Sequence, residues 1–349
     1  MDGSACRLGV GVLALALASA CTPAEDGGIP QPTDEGAASE GERDDEAGTD
    51  TTTGTDTTTD TDTSSSSDGS GETGEESSED SGEETGPLAG DCDHAPPPGW
   101  TQVWCDDFAE AIDPANWSFE VDGLGGGNNE LQYYTDRPEN ARIEDGALVI
   151  EALEEQYTGP DGTRDYTSAR LRTFQLAQWT YGRVEARIRL PKGQGLWPAF
   201  WMLPTDWVYG GWAASGEIDI MELVGHEPET VYGTLHYGGE WPTNTSSASV
   251  PPDFGSHGYS LESGDFSEDF HVFAIEWEET QIRWYVDGQH VQTQSQWWSE
   301  AADYPAPYDQ DFHLLLNVAV GGTWPGSPDE TTVFPQRMTV DWVRVYEAG

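Results

Sequence analysis

Every aromatic residue of this 349-residue chain, all 15 tryptophans included, lies at or after Trp100. That asymmetry decides where a hydrophobic core can form. Residues 22–90 carry 21 Asp or Glu, one basic residue (Arg43) and no Phe, Trp or Tyr. They have no apolar surface to offset the entropy of ordering, so they are expected to be a disordered tether. At roughly 5–6 Å × √n such a chain spans about 45 Å, and its like charges extend it further. The remainder, residues 91–349, is long enough for one well-buried domain. That domain is itself acidic, with 12 basic against 43 acidic residues. Such a surface argues against nucleic acid or an anionic membrane surface as partner, whereas a neutral polymer is indifferent to it.

The N-terminus reads as a leader. Arg7 precedes the apolar run LGVGVLALALASA, which is too short for a membrane span but suits a signal peptide over residues 1–20. The run ends in LASAC, which resembles a bacterial lipobox and makes Cys21 the expected lipidation site. Ala18 stands where that pattern prefers Leu, and ordinary secretion with a coincidental cysteine is the alternative. The expected product is exported and lipid-anchored to the cell envelope, at the outer membrane or cell surface. It would touch the membrane only through that anchor, with residues 21–90 as spacer. Once Cys6 leaves with the leader and Cys21 carries lipid, Cys92 and Cys105 remain. Two cysteines this close in an oxidising compartment predict a disulfide, worth about 3 kcal/mol in the chain-entropy model.

From Trp100 onward the hydrophobic period is two. YGRVEARIRL places Arg183, Glu185, Arg187 and Arg189 on one face and Val184, Ala186, Ile188 and Leu190 on the other, an antiparallel strand with one face in the core. FAIEWEETQIRWYVDGQHVQT reads as a meander turning near Glu279 and at Asp287-Gly288. ALVIEAL, TVYGTLHYG, HLLLNVAVGG and MTVDWVRVYE read as further strands. About a dozen short strands and no convincing amphipathic helix predict an all-β domain, a sandwich of two antiparallel sheets. GLWPAFWMLP is apolar on both faces, with Trp197, Ala199 and Trp201 opposite Pro198, Phe200 and Met202. A groove that stacks sugar rings on indole would account for the second face; core filling is the plainer alternative.

The stretch SGEIDIMELVG holds three acids out of step with a strand. Alternation puts Glu217 and Asp219 on one face and Glu222 on the other. A β-bulge at Ile220-Met221 removes the conflict, because one extra residue rephases everything downstream and returns Glu222 to the face of the other two. The two glutamates are then four pleat steps apart, roughly 13 Å between Cα atoms at ~3.3 Å per step. A concave bend would bring their carboxyls toward the ~5–5.5 Å of double-displacement glycoside hydrolysis. A solvated strand face is the plain alternative, although like charges crowded on one face destabilise it. Calcium binding by the three acids is a second.

GEIDIMELVG resembles the signature of glycoside hydrolase family 16, in the bulged form of laminarinase-like endo-β-1,3-glucanases. GGGNNELQYYT, YTSARLRT, GLWPAFWMLP, GTLHYGG, FHVFAIEWEETQIRWYVDG, NVAVGGTWPGSPD and MTVDWVRVYE follow in that family's order. The resemblance implies a β-jelly roll of two bent antiparallel sheets, of the concanavalin A-like lectin/glucanase type, with a cleft on the concave side. It implies Glu217 as nucleophile, Glu222 as general acid/base and Asp219 as the residue that orients Glu217 and influences the proton on Glu222. Sugar contacts are implied for Asn128, Asn129, Arg170, Trp197, Trp201, His236 and Trp324. No cofactor is implied for catalysis. A structural calcium on the convex side is, held by Asp341 with backbone carbonyls of Gly146 and Asp107.

The expected activity is therefore hydrolysis of internal β-1,3 bonds in laminarin-type glucans, by a monomer, with retention of configuration. Two other readings stay open: a related enzyme acting on mixed-linkage glucan or a galactan, and a glucan-binding protein without catalysis. The bulge argues against a lichenase-type enzyme, and the presence of both Glu217 and Glu222 argues against a binding protein.

Overall fold

The computed structural model describes residues 91–247 and 258–349; the leader, Cys21 and the tether through residue 90 lie outside the described residues. The first strands in chain order are β1 (Trp100–Asp106), β2 (Ser118–Glu120), β3 (Gln132–Tyr134), β4 (Ala141–Glu144), β5 (Ala147–Gly159), β6 (Gly162–Ser168), β7 (Arg170–Arg172), β8 (Gly182–Arg189) and β9 (Leu196–Pro204). They continue as β10 (Glu217–Glu222), β11 (Thr230–Tyr237), β12 (Thr245–Ser246), β13 (Gly258–Ser260), β14 (His271–Glu278), β15 (Gln281–Val286), β16 (Gln289–Gln294), β17 (Phe312–Val320) and β18 (Gln336–Ala348). Among the described residues the one complete helical element is a 3-10 turn, Asp91–Asp93.

These strands form a β-jelly-roll sandwich. One sheet runs β16-β15-β14-β8-β18-β5-β6-β3, with β1 beside β18 and β4 beside β5. The other runs β12-β11-β10-β9-β17-β7-β2, with β13 beside β11. The ladders are antiparallel throughout, apart from β3 beside β6. The meander emerges as β14, β15 and β16, with turns where the sequence puts them. The strands beyond the expected dozen are mostly segments of two to four residues, such as β2, β7 and β12, too short to carry a readable period. β6 is longer, but its GTRDYTS is too polar to show one.

Alternation on β9 and β17 produces two apolar clusters. Phe200, Met202, Leu314 and Leu316 point between the sheets and join the main core with Ile218, Met221, Val184 and Phe273. Ala199, Trp201, Leu203 and Leu315 form a separate cluster, packed by Trp207 and Trp212. That second cluster is the floor of the cleft. The polar face of β8 is less wet than its pattern suggests, since Arg183 and Glu185 are buried. Pairing covers the charges: within β8 Arg183 meets Glu185 at 2.8 Å, and the neighbouring strands add Glu276, 3.1 Å from Arg183, and Tyr346, which donates to Glu185 at 2.9 Å. Cys92 and Cys105 form the disulfide the sequence predicts, with Cα atoms 5.7 Å apart.

Candidate active site

The bulge falls where the parity of the acids requires it. On one side Asp219 lies opposite Trp201 and Met221 opposite Phe200, so Ile220 has no partner on β9. On the other, Glu217, Asp219 and Glu222 face His236, Thr234 and Tyr232, which alternate along β11 and share one side of it. All three acids therefore look into the cleft. The irregular stretch frees the main-chain carbonyl of Asp219, and Trp284 of β15 reaches across the core to donate its indole N–H to it at 2.9 Å. Gly233 makes room for that ring, since a Cβ there would lie 2.5 Å from it. Beneath the strand ends, the Tyr308 hydroxyl donates to the carbonyl of His236 at 2.8 Å.

Each glutamate is oriented by a tryptophan. Trp212 Nε1 donates to Glu217 Oε2 at 2.8 Å, and Trp197 Nε1 donates to Glu222 Oε1 at 3.0 Å. His236 Nε2 lies 3.7 Å from Glu217 Oε1 and 3.3 Å from Asp219 Oδ2. Burial pushes all three carboxyls up. Glu217 rises to about 7, through burial and then the charge of Asp219, while His236, the Trp212 N–H and Arg170 favour its anion. Asp219 rises well above the usual carboxylate range through burial. Glu222 rises well above it through burial, then the charges of Asp219 and Glu217, against the pull of His236 and Trp197. Of the two glutamates Glu222 is pushed up the further, so Glu217 is the more readily ionised, the division that separates a nucleophile from an acid.

The residues expected to contact sugar converge on this strand. Trp197 stands beside Glu222, with Trp324 edge-on at 5.4 Å and itself 41% exposed on the rim. Asn128 reaches the same rim, because its carbonyl accepts the Thr323 N–H at 2.9 Å. Asn129 is exposed at φ 59°, while Asn128 is half-buried. Trp201 is largely covered, its N–H donated to Asn317 Oδ1 at 2.7 Å, so it serves as floor. Arg170 is deeper still, 5% exposed, over the rings of Tyr134 and Trp201 and paired with Glu120 at 3.2 Å and Glu130 at 3.6 Å.

Four contributors escaped the sequence reading. Trp212 sits in the irregular loop YGGWAASG, where no period marks a direction. Tyr232 alternates correctly on β11 with His236, and its ring lies 5.1 Å from that of Trp324; the alternation alone could have found it. Trp284 is hidden in an ordinary amphipathic strand. Glu130, 4% exposed, accepts from Gln132 Nε2 at 2.7 Å, Tyr134 OH at 3.1 Å and Asn128 Nδ2 at 3.4 Å, joining the rim loop to the Arg170 floor. Gly126 is required above it, since a Cβ there would lie 2.3 Å from Glu130 Oε1.

Two places offer metal-ligand chemistry. Glu217, Asp219 and His236 bring one ligand atom each within 4.8 Å of one another. Their geometry is already used: an indole N–H points onto Glu217, an arrangement that stabilises a free carboxylate rather than a metal-bound one. The second place is a seam on β18. Val340 lies opposite Leu148 of β5 and Val343 opposite Asp106 of β1, so Asp341 sits where β1 ends and β5 begins, near Gly146 and Asp107 in register. The Asp341 carboxylate with two main-chain carbonyls would be an all-oxygen set, the kind a hard cation such as calcium takes. Asp341 is fully buried and its Oδ2 accepts from Arg187 Nη1 at 2.6 Å, so an ion there would share the carboxylate with a guanidinium.

A jelly-roll sandwich that aligns two carboxyls of separated acidity on an indole-lined floor defines a glycoside hydrolase. Residues 128–344 match Glycosyl hydrolases family 16, and the chain belongs to that family. It is 45% identical over 71% of its length to the Beta-glucanase of Rhodothermus marinus, covering 86% of that protein. It is 42% identical over 71% of its length to Glucan endo-1,3-beta-glucosidase A1 of Niallia circulans, but spans only 38% of that longer protein. Among solved structures, the catalytic domain of an endo-1,3-beta-glucanase (laminarinase) from Thermotoga petrophila is 46% identical, with a TM-score of 0.62 over 71% of this chain and 98% of that one.

Proposed function

We propose that this chain is a retaining endo-glycosidase that hydrolyses internal β-1,3 bonds of laminarin-type glucans. The observation that carries the reading is the bulged strand, with Glu217 and Glu222 on one face and each held by its own indole N–H. Ionised Glu217 attacks the anomeric carbon; the glycosidic C–O bond breaks, and the leaving oxygen takes the proton of Glu222. Esterification removes one negative charge from the cluster. That loss makes Glu222 a stronger acid, so its conjugate base is ready to accept a proton from water. Water then attacks the same carbon, its proton passes to Glu222, and the Glu217 carboxylate departs with configuration retained.

Asn128, Trp197, His236 and Trp324 are the proposed sugar contacts, with Arg170 and Trp201 supporting them from below. The proposed placement is at the cell envelope, on the lipid and tether that the N-terminal sequence suggests. A calcium at the Asp341 seam would brace β18 against β1 and β5 and take no part in the reaction. The substrate assignment is supported by the glucanases to which the chain is similar.

The test follows new reducing ends and product sizes on laminarin, lichenan, agarose and κ-carrageenan. Early mixed oligosaccharides from laminarin are expected. Cleavage of a galactan with laminarin untouched would replace the substrate. Glu217→Gln should abolish hydrolysis while glucan binding persists, and full activity in that variant would sink the mechanism.

A further inference from the structure

Away from the cleft, the segment after β7 lies beside β1 and the two line an open surface pocket of about 450 Å³. Its lining includes Val103, Trp104, Gln175, Leu176, Gln178 and Trp179, and contains no charged residue, on a domain with 43 acids and 12 bases. None of its residues belongs to the catalytic cleft. Trp104 and Trp179 pack edge-on at 5.5 Å and remain half-buried. Neither indole N–H has a protein acceptor or is sealed from solvent. Of the buried indoles, those of Trp117, Trp277 and Trp297 each have an acceptor, whereas Trp342 Nε1 has none.

The pocket is also preformed. Thr173 holds the turn through the N–H groups of Leu176 and Ala177, both at 2.9 Å, and donates its hydroxyl to the Ala177 carbonyl at 2.8 Å. Gln175 adopts φ 60°, a left-handed backbone that strains any residue with a Cβ, and its carboxamide engages no protein group. Gln178 is fixed by Nε2 to Asp311 Oδ2 at 2.9 Å, which leaves its carbonyl oxygen free to accept. Strain of this kind concentrates where a side chain is held ready for a ligand.

We propose that this pocket is a second carbohydrate-binding site, taking a sugar unit of a neutral β-glucan outside the cleft. Indole faces pack against the C–H face of a hexose, free indole N–H and amide groups match its hydroxyls, and the absence of charge suits an uncharged ligand. The volume lies within the ~300–1,000 Å³ of small-ligand pockets. The identity of the sugar rests on the proposed β-1,3-glucanase reading. Two sites on one chain raise retention on a polymer without any change in the cleft.

The test uses the whole chain and a variant carrying Gln175→Ala and Leu176→Glu, both exposed positions outside the core. In a Glu217→Gln background, calorimetric titration with laminarihexaose should count two sites in the parent and one in the variant. With Glu217 restored, the variant should release sugar from insoluble β-1,3-glucan about tenfold more slowly. Its kcat/KM on laminarihexaose should match the parent's. One site in both proteins, or equal rates on the insoluble polymer, would overturn the proposal. Inactivity of the parent on laminarihexaose would instead reject the glucanase reading, while the site count continues to judge the pocket.

Discussion

The indole N–H of Trp284, on one sheet, donates at 2.9 Å to the main-chain carbonyl of Asp219, on the other. A bulge that aligns three acids disrupts the ladder locally, and this contact satisfies the carbonyl it frees. Trp284→Phe should strand that carbonyl and lower stability by about 1–3 kcal/mol. Gly233→Ala should act on the same contact by crowding the ring. Both variants should lose kcat more than substrate affinity, read by denaturant unfolding alongside steady-state kinetics. Wild-type kcat in a folded Trp284→Phe protein would show that the bulge holds without its cap.

The two indole donors should be separable by pH. Trp212 favours the anion of Glu217, so Trp212→Phe should raise that group and move the acidic limb of kcat/KM to higher pH. Trp197 does the same for Glu222, so Trp197→Phe should move the alkaline limb to higher pH. Trp212→Phe loses a hydrogen bond to a charged group, worth about 1.5–3 kcal/mol or roughly 10- to 100-fold in rate, and Trp197→Phe loses one to a protonated acid, worth about 0.5–1.5 kcal/mol. A pH-rate profile that moves the same limb in both variants would contradict the assignment.

Asp219→Asn should move the profile the other way. Its charge raises both glutamates, so its removal should carry both limbs to lower pH. Stability follows the same group. The folded-state value of Asp219 is raised, so its contribution is fully present below the ordinary aspartate value of 3.8 and is lost as pH rises toward the folded value. The variant should therefore match the parent's Tm at pH 4 and gain on it progressively as pH rises, checked by thermal melts across the range.

Glu130 should affect binding rather than chemistry. Glu130→Gln keeps the shape but weakens the counter-charge to buried Arg170, which retains Glu120. A loss of about 1–3 kcal/mol in stability is expected. The rim carrying Asn128 loosens with it, so KM should rise several-fold with kcat and the pH profile largely kept. A fall in kcat with unchanged KM would place Glu130 in the chemistry instead.

Much of this site was legible because its signals are local. The acid spacing in EIDIME requires a rephasing residue, and β10 has one at Ile220, where the parity conflict arises. The two-faced apolar pattern of GLWPAFWMLP became core on one side and cleft floor on the other. What stayed hidden depends on distant segments. Trp212 works through a loop fold, Trp284 through the thickness of the sandwich, and Glu130 through its pairing with Arg170 of β7, beside local contacts to Asn128, Gln132 and Tyr134. None of these leaves a period in the sequence. The polar face of β8 misled for a related reason, because alternation reports which side chains are polar and not whether neighbouring strands pair them.

The Cys92–Cys105 bridge has a mechanical consequence. It joins a residue ahead of β1 to one near the end of that strand, whose far flank is laddered to β18. A pull arriving along the chain from residues before Cys92 therefore bypasses Trp100 and enters the sheet at Cys105. The strand cannot be peeled from its first residue, one rung at a time. A load applied ahead of Cys92 would be borne as shear along β1, and a reducing agent would turn that shear into unzipping.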